Sequence, residues 1–379
     1  MRIPLRLVAA TLGLAATALA VGTLRNARSL PVALPTNDAD TDPEPDTTIS
    51  VLLPARNESG NIERCLPTLL SLHGATEILV LDDQSTDDTA AIAKRLVEAD
   101  LRAAVLQDNG TSIPPGWLGK SWACERLAQA AKGDVLVFVD ADVTLDPSAL
   151  VSAVRLMRDL NVDMICPYPE QLTSTPLTRL VQPLLQWSWL TFIPVTTSLD
   201  RQLPSMAVGN GQFAVFNASA YRSVGGHAAV AGDVLEDVGL ARAMRRAGYR
   251  TAVVDGSAIA KCRMYETDRD LVDGYTKSLW AATGGELGAL GIVGLLKLLY
   301  VLPPLFAATS RDRNVRAWGV VGYAAGVASR VVVARKTGQR VWPEMLTQPV
   351  SVTAFSALTV ISIWRHRRGE VQWKGRPLP

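Results

Sequence analysis

Carboxylates gathered at three places in the 379-residue chain are the residues whose spacing can do chemistry. Asp82-Asp83 and Asp140-Ala141-Asp142 each end a short apolar run, and Glu236-Asp237 opens a stretch whose apolar residues Val238, Leu240, Ala241 and Met244 recur at helical spacing. In an extended segment Asp140 and Asp142 share a face, so one can meet a divalent cation and the other a sugar hydroxyl or a bound water. Hard oxygen donors suit Mg2+ or Mn2+, ions that commonly bridge diphosphates. Acids at strand ends also cap the helix that follows, and for the triplet alone both readings stay open. Asp83 is a natural acceptor for the N3–H of a uracil or the hydroxyls of a ribose, and Glu58, in the run Pro54-Ala55-Arg56-Asn57-Glu58, lies near the same edge. Glu236-Asp237 reads equally as acids favoured by a helix dipole and as a general base able to take a proton from an acceptor hydroxyl.

The elements that must position these groups follow from the hydropathy pattern. Short β-branched runs (49–55, 77–83, 103–107, 134–142) alternate with helical stretches expected near 62–73, 86–99 and 121–131. Runs that are apolar throughout and separated by helices predict an α/β domain, a mostly parallel sheet covered on both faces. In such a sheet ligands bind beyond the carboxyl ends of the strands, where both Asp clusters fall. Asn57, Ser59, Ser85 and Thr86 have the spacing of helix N-caps in the intervening turns.

Composition narrows the classes further. With 38 Lys+Arg against 36 Asp+Glu, a net charge of +2, no general basic field exists to hold a nucleic acid. The four cysteines are far apart, with no second Cys or His at ligand spacing, which argues against a disulfide scaffold or a structural zinc site and predicts free thiols. Hydrophobic residues make up 48% of the chain, and they concentrate at its ends. Leu5 to Leu24 is long enough to cross a bilayer and is read as an uncleaved anchor. Three more apolar stretches, 287–308, 317–334 and 350–364, read as membrane segments. Leu180 to Thr197, with Trp187 and Trp189, is expected along a membrane interface.

Taken in order, PARNE (54–58), DDQSTDD (82–88), DAD (140–142) and ED (236–237) resemble the family-2 glycosyltransferases of GT-A fold. The segments 114–134, 136–145, 209–227 and 234–244 are similar, more narrowly, to the 4,4′-diaponeurosporenoate and hopene-associated glycosyltransferases. The resemblance implies a GT-A-type, Rossmann-like sheet and a metal-dependent, inverting transfer from a UDP-sugar to a lipid-like acceptor. Carried over by position, it implies Asp142 as ligand of Mn2+ or Mg2+ and Asp140 facing ribose or donor sugar. It also implies Asp83, with Pro54 and Glu58, on the nucleotide side, and Asp237 as base with Glu236 shaping the site. Lys120, in WLGKSW, is placed near the nucleotide, where a cation offsets phosphate charge; a solvated lysine at a helix start is the plain alternative. Gln212, His227 and Trp280 are placed on the acceptor side. Trp280 is all that is kept of the Gln-x-x-Arg-Trp motif of processive members, which argues for a single transfer rather than polymer synthesis.

The expected organisation is a membrane anchor over 1–28, a linker over 29–47, the GT-A domain over 48–282, and membrane segments with a basic tail over 283–379. The expected location is the cytoplasmic membrane, multi-pass, with the catalytic domain on the cytoplasmic side, where UDP-sugars are made and free thiols persist. Keeping domain and basic tail on one side needs an even number of crossings between them, and 317–334, short and carrying Arg330, is the stretch expected not to span. The rival readings are a catalytically silent module on the same fold and a nucleotidyl or phosphosugar transferase.

Overall fold

Ten short strands build the first part of the structure: β1 Ile49–Ala55, β2 Glu77–Asp82, β3 Ala103–Leu106, β4 Val135–Val139, β5 Val143–Leu145, β6 Met164–Tyr168, β7 Glu170–Gln171, β8 Phe213–Asn217, β9 Thr251–Asp255 and β10 Ala260–Cys262. They belong to a computed structural model that describes residues 4–36, 47–106, 110, 112–282, 284–374 and 376–377. Residues 37–46, most of the expected linker, lie outside the described residues. The chain divides into two compact units, one of Pro31–Leu172 with Thr197–Met264 and one of Met1–Leu30, Thr173–Thr196 and Tyr265–Pro379.

In the first unit seven strands form one sheet in the order β3-β2-β1-β4-β8-β6-β9. The pairs β1/β2, β2/β3, β1/β4 and β6/β9 are parallel, and β8 runs antiparallel to β4 and β6. Successive side chains of a strand face opposite ways, so each strand feeds two cores. Val51, Leu53, Ile78, Val80 and Val137 pack with Ile62, Leu66 and Leu69 of the helix Ser59–Leu70. Leu52, Leu79, Leu81, Leu136 and Phe138 pack on the other face with Cys124 and Leu127 of the helix Gly119–Ala130 and Leu240 and Met244 of the helix Glu236–Arg246. At about 2 kcal/mol per fully buried aliphatic side chain, these two layers hold the strand ends in place. The mostly parallel, two-faced α/β expectation holds.

Two local expectations change. The strand expected over 134–142 stops at Val139, where its ladder with β8 ends at Phe213. Asp140-Ala141-Asp142 is a turn, closed by the Val143 N–H on the Asp140 carbonyl at 3.1 Å, because the chain must swing into β5, which pairs with β10 in a second sheet. The polar residues of the two βα turns also do not simply cap their own helices. Asn57 N–H donates to Ser85 Oγ at 2.9 Å, Thr86 N–H to Asn57 Oδ1 at 2.8 Å and Ser59 N–H to Asp87 Oδ2 at 3.1 Å, which ties the ends of β1 and β2 together.

The second unit is helical. Among the described residues, four of its helical stretches are long and apolar enough to cross a membrane: Leu5–Ser29, Glu286–Thr309, Arg313–Lys336 and Glu344–Arg367. The stretch expected not to span is an uninterrupted 24-residue helix, Arg313–Lys336, started by the Asp312 carboxylate, which accepts the Asn314 N–H at 2.8 Å. The interruption falls instead at Val301, just before Pro303 and Pro304, which separates Glu286–Tyr300 from Leu302–Thr309. Small residues let these helices approach: a Cβ on Gly319 would lie 2.5 Å from the Pro303 carbonyl and from the Ala307 nitrogen. Trp187 and Trp189 are buried rather than outward-facing, and the Trp187 indole N–H donates to Ser329 Oγ at 2.9 Å.

Candidate active site

Beyond the carboxyl ends of β1 and β4, Pro54, Lys120, Asp140, His227, Glu236 and Asp237 line one small cavity. Its walls are apolar because they are the upper ends of the core strands and the buried face of the helix Glu236–Arg246, including Phe138, Phe216 and Leu240.

Lys120, in the first turn of the helix Gly119–Ala130, is not a solvated lysine. Its Nζ lies 2.9 Å from Asp140 Oδ1 and 2.9 Å from Glu236 Oε1. Burial alone would lower its pKa, but the two carboxylates outweigh burial and hold it well above the usual value. Glu236 shows the same balance from the other side: burial pushes it up, and the Lys120 ammonium wins and holds it below the ordinary carboxylate range. Asp140 is raised, by burial first, with Lys120 opposing.

Asp142 is pushed up to about 7 by burial and then by the charges of Asp140 and Glu58. Its Oδ1 is buried with no hydrogen-bond partner among the described residues. A carboxylate oxygen left without a donor beside a second carboxylate is what a cation would satisfy. No three His, Cys, Asp or Glu side chains gather as a metal cage among the described residues, so the protein would supply one or two ligands and substrate phosphate oxygens the rest, as Mg2+ commonly requires. The donors present fit a divalent ion of that kind.

Asp237 sits at the start of its helix with Oδ2 accepting the Gly211 N–H at 3.0 Å and Oδ1 accepting the Val238 N–H at 2.8 Å. Burial, then the neighbouring Glu236, raise it to about 6, so it is ionised at neutral pH yet basic enough to accept a proton. The approach of segment 209–211 depends on glycine: a Cβ on Gly209 would stand 2.4 Å from the Asp237 backbone carbonyl carbon and oxygen.

Asp83 is buried at the end of β2, where its N–H donates to the Ala55 carbonyl at 2.8 Å, and Arg56 Nη1 donates to the Asp83 carbonyl at 2.6 Å. Glu58 is the residue before the helix Ser59–Leu70, and its Oε2 accepts from Asn61 Nδ2 at 2.7 Å. Gln212 is buried: its Oε1 accepts from Gln171 Nε2 at 2.8 Å and its carbonyl accepts the Asp140 N–H at 3.1 Å, so it holds the acidic turn. His227 is buried against Phe138, with Nδ1 2.7 Å from the Tyr221 hydroxyl, and burial lowers it to about 4, a neutral ring at pH 7. Trp280 belongs to the helical unit, stacked on His366 with ring centroids 3.5 Å apart.

Sequence reasoning missed the residues that support this set: Gly209 and Gly211, Asn210 and Gln171, whose amides hydrogen-bond Gln212, and Cys262, whose thiol hydrogen-bonds the Asp142 carboxyl. The GNGQ run (209–212) carried a signal in its closely spaced glycines; Cys262, 120 residues from Asp142, carried none.

Residues 50–225 match the family model described as Glycosyl transferase family 2. The chain is 28% identical over 246 residues to 4,4′-diaponeurosporenoate glycosyltransferase of Staphylococcus haemolyticus, a match covering 64% of each protein. The Staphylococcus aureus (strain USA300) protein of that name is 25% identical over 339 residues, covering 86% of this chain and 87% of that one. In fold, the chain is similar to the mannosyltransferase PcManGT of Pyrobaculum calidifontis, solved in complex with GDP-Man and Mn2+, with a TM-score of 0.52 at 17% identity, over 95% of this chain and 99% of that one. Residues 50–225 thus resemble the family-2 glycosyltransferases, and the sheet has a GT-A-type fold.

Proposed function

We propose that the chain is a membrane-associated, metal-dependent, inverting glycosyltransferase that moves a sugar from a UDP-sugar to a lipid-like acceptor, of carotenoid, hopanoid or other isoprenoid or glycolipid kind. The observation that carries this reading is the meeting of two acidic motifs beyond the strand ends, one with an orphaned Asp142 oxygen and one with Asp237 raised to about 6. Asp142 would hold Mg2+ or Mn2+, which when bound offsets the negative charge that grows on the departing diphosphate. Asp83, with Pro54 and Glu58, would receive base and ribose, and Asp140 would face ribose or donor sugar. Asp237 takes the proton from the acceptor hydroxyl as its oxygen attacks the anomeric carbon; the bond from that carbon to the β-phosphate oxygen breaks, and UDP leaves. Attack opposite the leaving group inverts the anomeric centre, with no covalent enzyme intermediate. Glu236, ion-paired to Lys120, keeps the base element against the acidic turn.

The four long apolar helices support a membrane location, and the name of the staphylococcal relatives supports an isoprenoid acceptor. The Pyrobaculum protein was solved with GDP-Man, so the nucleobase must be tested rather than assumed. Full-length protein in membranes should transfer label from a UDP-sugar to extractable lipid and release UDP. Mass spectrometry of cellular lipids with and without the gene should show one glycolipid series lost. Turnover with GDP-sugars alone would overturn the UDP assignment, and release of pyrophosphate would favour a nucleotidyl transferase.

A further inference from the structure

A second polar site lies wholly within the helical unit. Arg330, in the helix Arg313–Lys336, is only 4% exposed, and its Nη1 is buried with no hydrogen-bond partner among the described residues. It borders a small pocket whose other walls include Trp187, Val333, Gln339, Arg340 and Met345. The nearby buried carboxylate, Glu344, pairs closely with Arg179 through Oε1, while its Oε2, 3.5 Å from Arg340 Nε, has no hydrogen bond among the described residues. Two guanidinium groups thus pair with this carboxylate, and Arg330 feels its charge as a third. Gln348, which packs near Gly326 one helical turn before Arg330, is also buried, with neither amide atom hydrogen-bonded among the described residues.

A buried guanidinium nitrogen and a buried amide left without partners are costly, and three arginines around one carboxylate leave excess positive charge that an anion would balance. The depth identifies its carrier. A 24-residue helix is about 36 Å long against a hydrocarbon core of about 30 Å, and Arg330 lies about 9 Å from the helix's last residue, so its backbone stands about 6 Å inside the core boundary, a depth an arginine side chain can span to reach the headgroups. Arg330 and the guanidinium end of Arg340, whose Nε is already on the Trp342 carbonyl, offer donors, while Trp187, Val333 and Met345 offer apolar surface to an acyl chain. We propose that this pocket binds the phosphate group of an anionic phospholipid, an ordering site separate from the glycosyl-transfer residues.

The test is thermal unfolding of the full chain in neutral detergent with added phosphatidylglycerol, phosphatidylcholine or inorganic phosphate. Phosphatidylglycerol is expected to raise the midpoint saturably by about 3–6 °C over an equal amount of phosphatidylcholine. Arg330→Gln should abolish that difference, and Arg340→Gln, whose side chain is largely exposed, should reduce it by about half. Should Arg330→Gln fail to fold, an unchanged lipid response in Arg340→Gln overturns the proposal by itself. Equal effects of the two lipids, or an unchanged response in Arg330→Gln, also overturn it. A full shift from inorganic phosphate alone overturns the lipid assignment.

Discussion

Lys120 and Glu236 form an ion pair across 116 residues of sequence, with Nζ and Oε1 2.9 Å apart, and the same ammonium reaches Asp140 at 2.9 Å. A positive charge is thus wedged between the two acidic motifs. Lys120→Met should leave two largely buried carboxylates facing each other and destabilise the protein by about 3 kcal/mol. Part of that loss should be recovered in Lys120→Met/Glu236→Gln, which removes one of the stranded charges. A double-mutant cycle on denaturation midpoints checks this, and strict additivity would mean that the pair is not coupled.

Asp142→Ala should abolish transfer while leaving the far-UV circular dichroism and the unfolding midpoint near those of the parent. Chelation by EDTA should stop turnover, and Mn2+ or Mg2+ should restore it. Full turnover in EDTA would remove the metal from the mechanism.

Asp237→Asn should retain donor binding, measured by calorimetry with UDP, yet lower kcat by at least ~10²-fold, the usual scale for a general base. Glu236→Gln should be milder in turnover. With Mn2+ saturating, so that Asp142 stays ionised, Asp237, raised to about 6 and needed ionised to accept a proton, should make kcat/KM flat above that pH and fall tenfold per unit below it. A profile without an acid limb near 6 would assign the base elsewhere.

Gly209→Ala and Gly211→Ala should differ sharply. The first places a Cβ 2.4 Å from the Asp237 backbone, which cannot yield without moving the start of its helix, so activity should drop at least ~10-fold and stability should fall. The second meets Lys120 Nζ at 3.1 Å, the far end of a flexible side chain, and should be tolerated with a smaller loss. Comparing kcat and unfolding midpoints of the two variants checks the ranking.

What the sequence by itself determined was the class of the fold and the positions of the chemistry. Fully apolar runs alternating with helices predict a two-faced sheet, and acids at the ends of those runs necessarily fall on its carboxyl edge. Both conclusions rest on local periodicity, which survives in any window of the chain. Only the tertiary structure decided how those acids are used. The turn at 140–142 arises because β4 loses its partner at Phe213 and the chain is drawn toward β10, 120 residues away. Lys120 looks solvated in sequence, because nothing within a helical turn of it announces Asp140 or Glu236. Trp187 reads as an interface residue until Ser329 and Tyr300 close over it. Arg330 reads as a flaw in an apolar stretch until Arg179, Arg340 and Glu344 gather nearby. In each case the deciding energy is a pairing or a burial between groups far apart in sequence, and only the folded chain brings them together.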